Sequence, residues 1–435
     1  MNNNVLKKGL YQRVAILLIA YSLVMWFLTN LKLSNSLFGI PTLVLGIITF
    51  AYIYKKCKSI INPISLFLVV WFVVIPLTSF AFPMMDEMSR EEWKLIFAFI
   101  AAVMCGTVVA FSCKGYHKKT KEKKTGFQLS SREYRIYIGI IIVAIFLMVL
   151  SVVKQGGVGL LSENQKSEGL FPGYSLIISL PTISAFIITL DHGRRYNKLF
   201  LLLYLCYGIL QLLTGMRWTI IISIICILPN FEIQKLEKRE KKIIIIACVL
   251  IIVAFMLVGT VRGGVSDKQK YFIDTGLFRG TADEMVRTEI PRYIGMSQRL
   301  MKRYYVPQYA GVNKLRYTLA PIEYLLGMEY EVPNAVAHLD IYGYNAQNII
   351  TDMYLDAGFL WPIVAVLWGF LISRWYINSY NNSSDVICRY FWSIGTVCIV
   401  ISFFAYIQFL PYWLTIFPFL IWLLSSKKIR IRIQT

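Results

Sequence analysis

Charge is scarce in this sequence: only 16% of its 435 residues are Asp, Glu, Lys or Arg, against 57% hydrophobic. A soluble domain carries about a quarter charged residues, so the composition excludes a soluble protein and points to a single integral-membrane unit. Histidine is scarcer still, with three in the whole chain. No Gly-x4-Gly-Lys-Ser/Thr loop is present for a nucleoside triphosphate, no His-Glu-x-x-His pair for zinc, and no Asp-x-Asp pair for a metal-bound nucleotide sugar. The sequence therefore implies no cofactor and offers no recognisable apparatus for ATP hydrolysis or metal chemistry. The eight cysteines, Cys57, Cys105, Cys113, Cys206, Cys226, Cys248, Cys388 and Cys398, leave the hydrophilic stretch 262–348 empty. The shape of that stretch cannot depend on disulfides. No internal repeat is evident either, which weighs against transporter folds built from duplicated halves.

Long apolar runs are what the sequence has instead. Hydropathy and loop signals give about twelve spans, near 14–30, 37–54, 64–82, 93–113, 136–153, 173–190, 198–214, 218–230, 243–261, 349–373, 391–409 and 412–424. The spans 218–230 and 412–424 are short for a hydrocarbon core of roughly 30 Å, and read as re-entrant or as extending into their flanks. Val14 to Thr29 follows Lys7, Lys8 and Arg13 as a signal peptide would. The next residues, Asn30-Leu31-Lys32-Leu33, contain no small-x-small cleavage site, so the run reads as a retained first helix. The expected fold is an all-α polytopic integral membrane protein in three parts. Residues 1–261 form a membrane domain of helices 1–9, 262–348 a large outer loop, and 349–435 helices 10–12 with a basic tail.

The net charge of +21 is a topology signal before it is a binding signal, because Lys and Arg accumulate in cytoplasmic loops. With the N-terminus inside, the inner segments hold 28 of the 45 basic residues, including the eight between Lys114 and Arg135 and the five between Lys235 and Lys242. Short outer loops hold only Lys32, Arg90, Lys94, Lys154, Lys166 and Arg217, and the second is acidic through Asp86, Glu87, Glu91 and Glu92. Both termini are then cytoplasmic, and no nucleic-acid partner is implied. The remaining 11 basic residues lie between Arg262 and Asn348, on the outer side. Long loops are translocated largely regardless of charge, so they do not break the rule.

A long hydrophilic loop between otherwise short links is where function is sought. From Arg262 to Arg316 it carries 11 basic and 5 acidic residues, and from Tyr317 to Asn348 no basic and four acidic ones. Arginine forks suit phosphate oxygens, which makes Arg262, Arg279, Arg287 and Arg292 candidates, although most surface arginines are solvated or paired. Arg217, in Thr214-Gly215-Met216-Arg217, and Arg262, in Val261-Arg262-Gly263-Gly264, sit where apolar spans meet the outer surface. They read equally as anion ligands and as snorkelling side chains. Ten tyrosines in the loop, among them Tyr304, Tyr305, Tyr342 and Tyr344, offer faces for sugar rings or belong to the membrane interface.

His338 is the one histidine expected outside, and near neutral pH it can take a hydroxyl proton with Asp340 or Glu331 to orient it; a structural role competes with that reading. Asp352 and Asp356 are spaced i, i+4 and share a helix face. They suit a helix N-terminus, or alternatively face acceptor sugars.

These features resemble the oligosaccharide repeat-unit polymerases of the Wzy type. The likeness rests on Thr214-Gly215-Met216-Arg217 before an apolar helix, the large late outer loop, and Asn345-Ala346 through Tyr354-Leu355-Asp356-Ala357-Gly358 leading into a helix. Ala357 stands where the family usually has an aromatic residue. The resemblance implies a GT-C-like, metal-independent glycosyltransferase in the bacterial inner membrane. It would move a growing glycan from undecaprenyl pyrophosphate onto a new lipid-linked repeat unit at the periplasmic face, alongside a flippase and a chain-length regulator. On this reading Arg217 and Arg262 neutralise the departing pyrophosphate and His338 deprotonates the acceptor. Arg279, Arg287, Arg292, Tyr344, Asn345, Asp352 and Asp356 then bind substrate. A lipid-linked oligosaccharide flippase is the rival class, but it should carry charges inside its helices, and these spans are nearly free of them. An O-antigen ligase or a non-catalytic scaffold of the same assembly remain alternatives.

Overall fold

A computed structural model describes residues 3–31, 33–34, 36–57, 59–80, 88–113, 127–154, 174–191, 193–213, 217–233, 298, 301, 305–326, 348–382, 385–403 and 411–425. Among these, all regular structure is helical and no strand occurs. Five helical stretches are long and apolar enough to cross a membrane: Gly9–Leu28, Leu37–Cys57, Arg90–Ser112, Ser131–Lys154 and Ile349–Asn381. Shorter apolar helices accompany them, and the chain is a multi-pass membrane protein. Every expected span except 243–261, which lies outside the described residues, overlaps a helix; the span 391–409 is helical to Val400, and its residues 404–409 also lie outside the described residues.

The chain divides into two compact units. The first takes Met1–Thr120, Val265–Ser383 and Ile394–Pro418. It contains α1 (Asn3–Leu28), α2 (Ser36–Cys57), α3 (Pro63–Leu68), a π-helical turn (Val69–Val74), α4 (Ile75–Phe80) and α5 (Arg90–Ser112). Later come α10 (Arg316–Leu325), α11 (Ile349–Ala357), α12 (Trp361–Asn381) and α14 (Pro411–Leu414). The central helix is α5, gripped by α1 and α12. It starts with a capping box: the Glu92 amide donates to Ser89 Oγ at 3.4 Å, and the Ser89 amide donates to Glu92 Oε2 at 2.6 Å. Glu92, read as part of an acidic outer loop, is therefore buried as a helix cap.

The α5–α12 contact is made by main chain. A Cβ on Gly106 would strike the Val366 carbonyl oxygen and lie 2.7 Å from the Phe370 nitrogen, and one on Gly369 would lie 3.0 Å from Val103 Cα. Such close approach is how membrane helices gain dispersion contact when lipid removes the hydrophobic drive between them. Beside it, Phe99 meets Trp71 at 4.6 Å and Trp368 at 6.1 Å between ring centres, and Ser373 Oγ donates to Thr107 Oγ1 at 3.2 Å. The opposite face of α12 leaves Ile363, Leu367 and Leu371 exposed at four-residue spacing, as a lipid-facing stripe should.

The second unit takes Lys121–Gly264, Ser384–Ser393 and Phe419–Thr435. Its helices are α6 (Ser131–Lys154), α7 (Tyr174–Leu190), α8 (Lys198–Leu213) and α9 (Arg217–Ile233), with the first turns of α13 (Val386–Val400) and most of α15 (Ile416–Ser425). Helix α6 packs on α7 and α8, and α7 packs on α9. Polar side chains tie these apolar helices together. Tyr207 donates to the Ile178 carbonyl at 2.8 Å, in the turn that Pro181 interrupts. Asn230 donates to the Phe186 carbonyl at 3.0 Å and to Thr189 Oγ1 at 2.9 Å.

Three expectations change in detail. The span 64–82 is, over its described residues, an α–π–α succession ending at Phe80, because one turn widens around Trp71. The span 349–373 opens as a short helix, breaks at a 3-10 turn (Gly358–Leu360) and restarts as α12. Arg217, expected in a link, is the first residue of α9, and the hydrophilic stretch 262–348 contains the helix α10.

Candidate functional site

The described part of the candidate site is built on α11. Asn348 caps it, accepting from the Thr351 amide at 3.0 Å through Oδ1. Its Nδ2 donates to Gln298 Oε1 at 2.7 Å, and Gln298 Nε2 donates to the Phe403 carbonyl at 2.9 Å. The Ile349 amide donates to the Ser402 carbonyl at 3.0 Å, and the Ser402 hydroxyl accepts from Trp71 Nε1 at 2.8 Å. The first turn of α11 is therefore held through the end of α13 to the π-helical turn. Buried polar chains of this kind fix one geometry because each missing partner costs about 1–3 kcal/mol.

The other end of α11 holds the segment 305–318. A helix leaves its last carbonyls without intrahelical donors. Here Tyr354, Leu355 and Asp356 carbonyls accept from the Gly311, Asn313 and Leu315 amides at 3.1, 2.9 and 2.9 Å. Gly358 ends the helix at φ +60°, ψ −136°, and its nitrogen lies 3.6 Å from where a Cβ on Gly311 would sit. That backbone region is essentially open only to glycine. Lys314 and Leu315 also have positive φ, at 50° and 62°, a conformation that costs non-glycine residues about 1–2 kcal/mol each and persists because the latch enforces it. Tyr305 stacks on Tyr354 at 4.1 Å, Tyr354 donates to the Val306 carbonyl at 2.9 Å, and Trp361 Nε1 donates to the Tyr305 hydroxyl at 3.1 Å.

Of the residues singled out in the sequence, Asp352 and Asp356 lie here, 7% and 1% exposed. Asp356 Oδ2 accepts from the Thr318 amide at 2.8 Å and from its hydroxyl at 2.5 Å. The carboxylate thus caps the first turn of α10, where the helix dipole favours negative charge. Arg217 opens α9, whose first turn holds no acidic residue. Arg262, Arg279, Arg287, Arg292, His338, Tyr344 and Asn345 lie outside the described residues. Sequence reading missed Gln298, Thr318, Ser402 and Trp71. Their partners are between 38 and 331 positions away, and no local pattern announces them.

The family model described as "Putative O-antigen polymerase" matches residues 59–272. Over that stretch, just under half of the chain, the sequence is similar to the O-antigen polymerase family. No curated protein and no solved structure matches it. The family match covers α3 to α9 and ends before α11, so the Asn348–Gly358 assembly stands beside the matched region in sequence and is argued from geometry alone. Polymerisation of O-antigen repeat units, a glycosyl transfer, is the activity that this similarity suggests.

Proposed function

We propose that the chain joins undecaprenyl-pyrophosphate-linked oligosaccharide repeat units into O-antigen or a related surface polysaccharide. The observation that carries this reading is the O-antigen polymerase match over residues 59–272. In the proposed arrangement the protein crosses the bacterial inner membrane about twelve times in a GT-C-like fold. Both termini are cytoplasmic, and residues 262–348 face the periplasm. A separate flippase delivers the units and a chain-length regulator ends the polymer.

Transfer breaks the bond between the anomeric carbon of the growing glycan and its pyrophosphate, and forms one to a hydroxyl of the incoming unit. His338 takes that hydroxyl proton. Arg217 and Arg262 bear the charge that develops on the departing pyrophosphate, and no metal is required for this. The position of Arg217 at the α9 N-terminus supports such a role, since a helix dipole favours an anion at that end. Arg279, Arg287, Arg292, Tyr344 and Asn345 bind glycan and phosphate. Asp352 faces the acceptor, while Asp356 acts through Thr318 by holding α10 in place.

The test is incubation of the purified protein with lipid-linked repeat units, scored for polymer. Arg217→Ala, Arg262→Ala and His338→Ala should each lower polymer formation by on the order of 100-fold or more and leave cells with surface glycan of one repeat unit at normal protein levels. Normal ladders in all three variants would remove the site assignment. Loss of the single-unit product as well would point to a ligase or flippase.

A further inference from the structure

Within the hydrophilic stretch, α10 is too short to span a membrane yet apolar along one side. Its ten residues make about 15 Å of helix. It is more amphipathic than any helix long enough to cross the membrane. Leu319, Ile322 and Leu326 recur at three- and four-residue spacing and fall within about 60° of one another around the helix axis. All three are exposed, Ile322 at 55% and Leu326 at 71%. The Leu319 amide donates to the Leu315 carbonyl at 2.8 Å and the Leu326 amide to the Ile322 carbonyl at 3.0 Å, so the hydrogen-bond ladder under the stripe runs from Leu315 to Leu326. Thr318 meanwhile ties α10 to Asp356 of α11, and α10 also packs on α14.

The stripe connects to a surface that already meets lipid. The exposed row on α12, Ile363, Leu367 and Leu371, continues backward to Leu360, 63% exposed, and then to Phe359, 68% exposed. Gly358, next to Phe359, abuts the segment that leads into α10, since a Cβ on it would lie 3.3 Å from the Gly311 nitrogen. Beyond Gly311, Val312 and Leu315 are exposed in turn. Exposed apolar side chains thus lead from the lipid face of α12, across the contact between Gly358 and Gly311, to α10.

We infer that α10 is an interfacial helix, lying along the membrane surface at the start of α12 with Leu319, Ile322 and Leu326 sunk into the lipid between headgroups and acyl chains. A short helix with one apolar side and little overall hydrophobicity lies in that boundary and does not cross it. Lys314 and Arg316, both exposed, precede the stripe, and basic side chains at this depth reach lipid phosphates while their stems cover apolar surface. Because α10 is bound to α11 through Thr318 and through the latch at 311–315, the bilayer surface then sets the depth of that whole segment. The placement holds whichever side of the membrane the segment faces, and it does not depend on the proposed chemistry.

Photo-crosslinking of the full chain in vesicles of phosphatidylethanolamine and phosphatidylglycerol tests it. A diazirine-bearing amino acid replaces Ile322 or Leu326, and the same replacement at Leu367, on the lipid-facing row of α12, is the reference. All three positions are exposed, so the probe displaces no packed neighbour. After irradiation, mass spectrometry should find phospholipid adducts at Ile322 and Leu326 with yields within a few-fold of that at Leu367. A carbene that faces water inserts into it, so hydration products with many-fold less lipid adduct at both positions would overturn the inference. Adducts to protein at both positions, whether to another part of this chain or to a second copy, would overturn it as well, because something other than lipid would then cover the stripe.

Discussion

Replacing Gly106 by alanine adds one methyl group to α5, and its cost can be worked from the contact with α12. The new Cβ would collide with the Val366 carbonyl oxygen and sit 2.7 Å from the Phe370 nitrogen. Ordinary carbon contacts lie at about 3.5–4.0 Å, so the helices must part by roughly 1 Å. Both neighbours are backbone atoms and cannot rotate away. A gap of that size forfeits about a quarter to a half of each dispersion contact along the seam, and stretches the 3.2 Å bond between Ser373 and Thr107 past hydrogen-bonding range. Overpacking of this kind costs about 1–3 kcal/mol and the lost hydrogen bond about 1 kcal/mol more. The unfolding midpoint in detergent of a chain this long should therefore fall by about 2–5 °C. Gly139→Ala on α6 is the control, since nothing lies within 4 Å of its added Cβ. Alanine there should be neutral, or stabilising by up to about 1 kcal/mol through helix propensity. A Gly106→Ala protein no less stable than Gly139→Ala would refute the main-chain seam.

Gly358→Ala should cost about 1–3 kcal/mol, because it forces a side chain into a conformation reserved for glycine and brings its Cβ 3.3 Å from the Gly311 nitrogen. Amide exchange at Gly311, Asn313 and Leu315 should rise with it, and unchanged protection there would show that the latch does not depend on this turn. Asp356→Asn removes the charge from the bonds to Thr318, worth about 1.5–3 kcal/mol for a charged acceptor. Amides of α10 should then exchange roughly ten-fold faster or more, while those of α5 keep their protection; equal loosening of both helices would mean that Asp356 supports the whole unit and not α10 alone.

Hydropathy found the helices because lipid-facing stripes such as Ile363, Leu367 and Leu371 and buried ones such as Phe97, Ile100 and Met104 are equally apolar, so any spanning helix registers. The same property hides irregularity. Val69–Val74 is as apolar as its flanks, and nothing in its composition reveals that one turn widens to present Trp71 to Ser402. The i, i+4 spacing of Asp352 and Asp356 did place both on one short helix, yet the partner of Asp356 is Thr318, across a stretch that no helical period connects. Arg195 and Arg389 each read as a loop charge that sets orientation, yet both are buried. Their burial depends on the packing of segments distant in sequence, which a linear pattern does not encode.

The latch between 311–315 and the end of α11 is made almost wholly of peptide groups, and peptide groups are the same whatever side chains they carry. Between the anchoring amides of Gly311, Asn313 and Leu315, Val312 and Lys314 bond only within the segment through their own amides and are exposed. Those side chains can therefore change one at a time while the anchoring of the segment stays as it is.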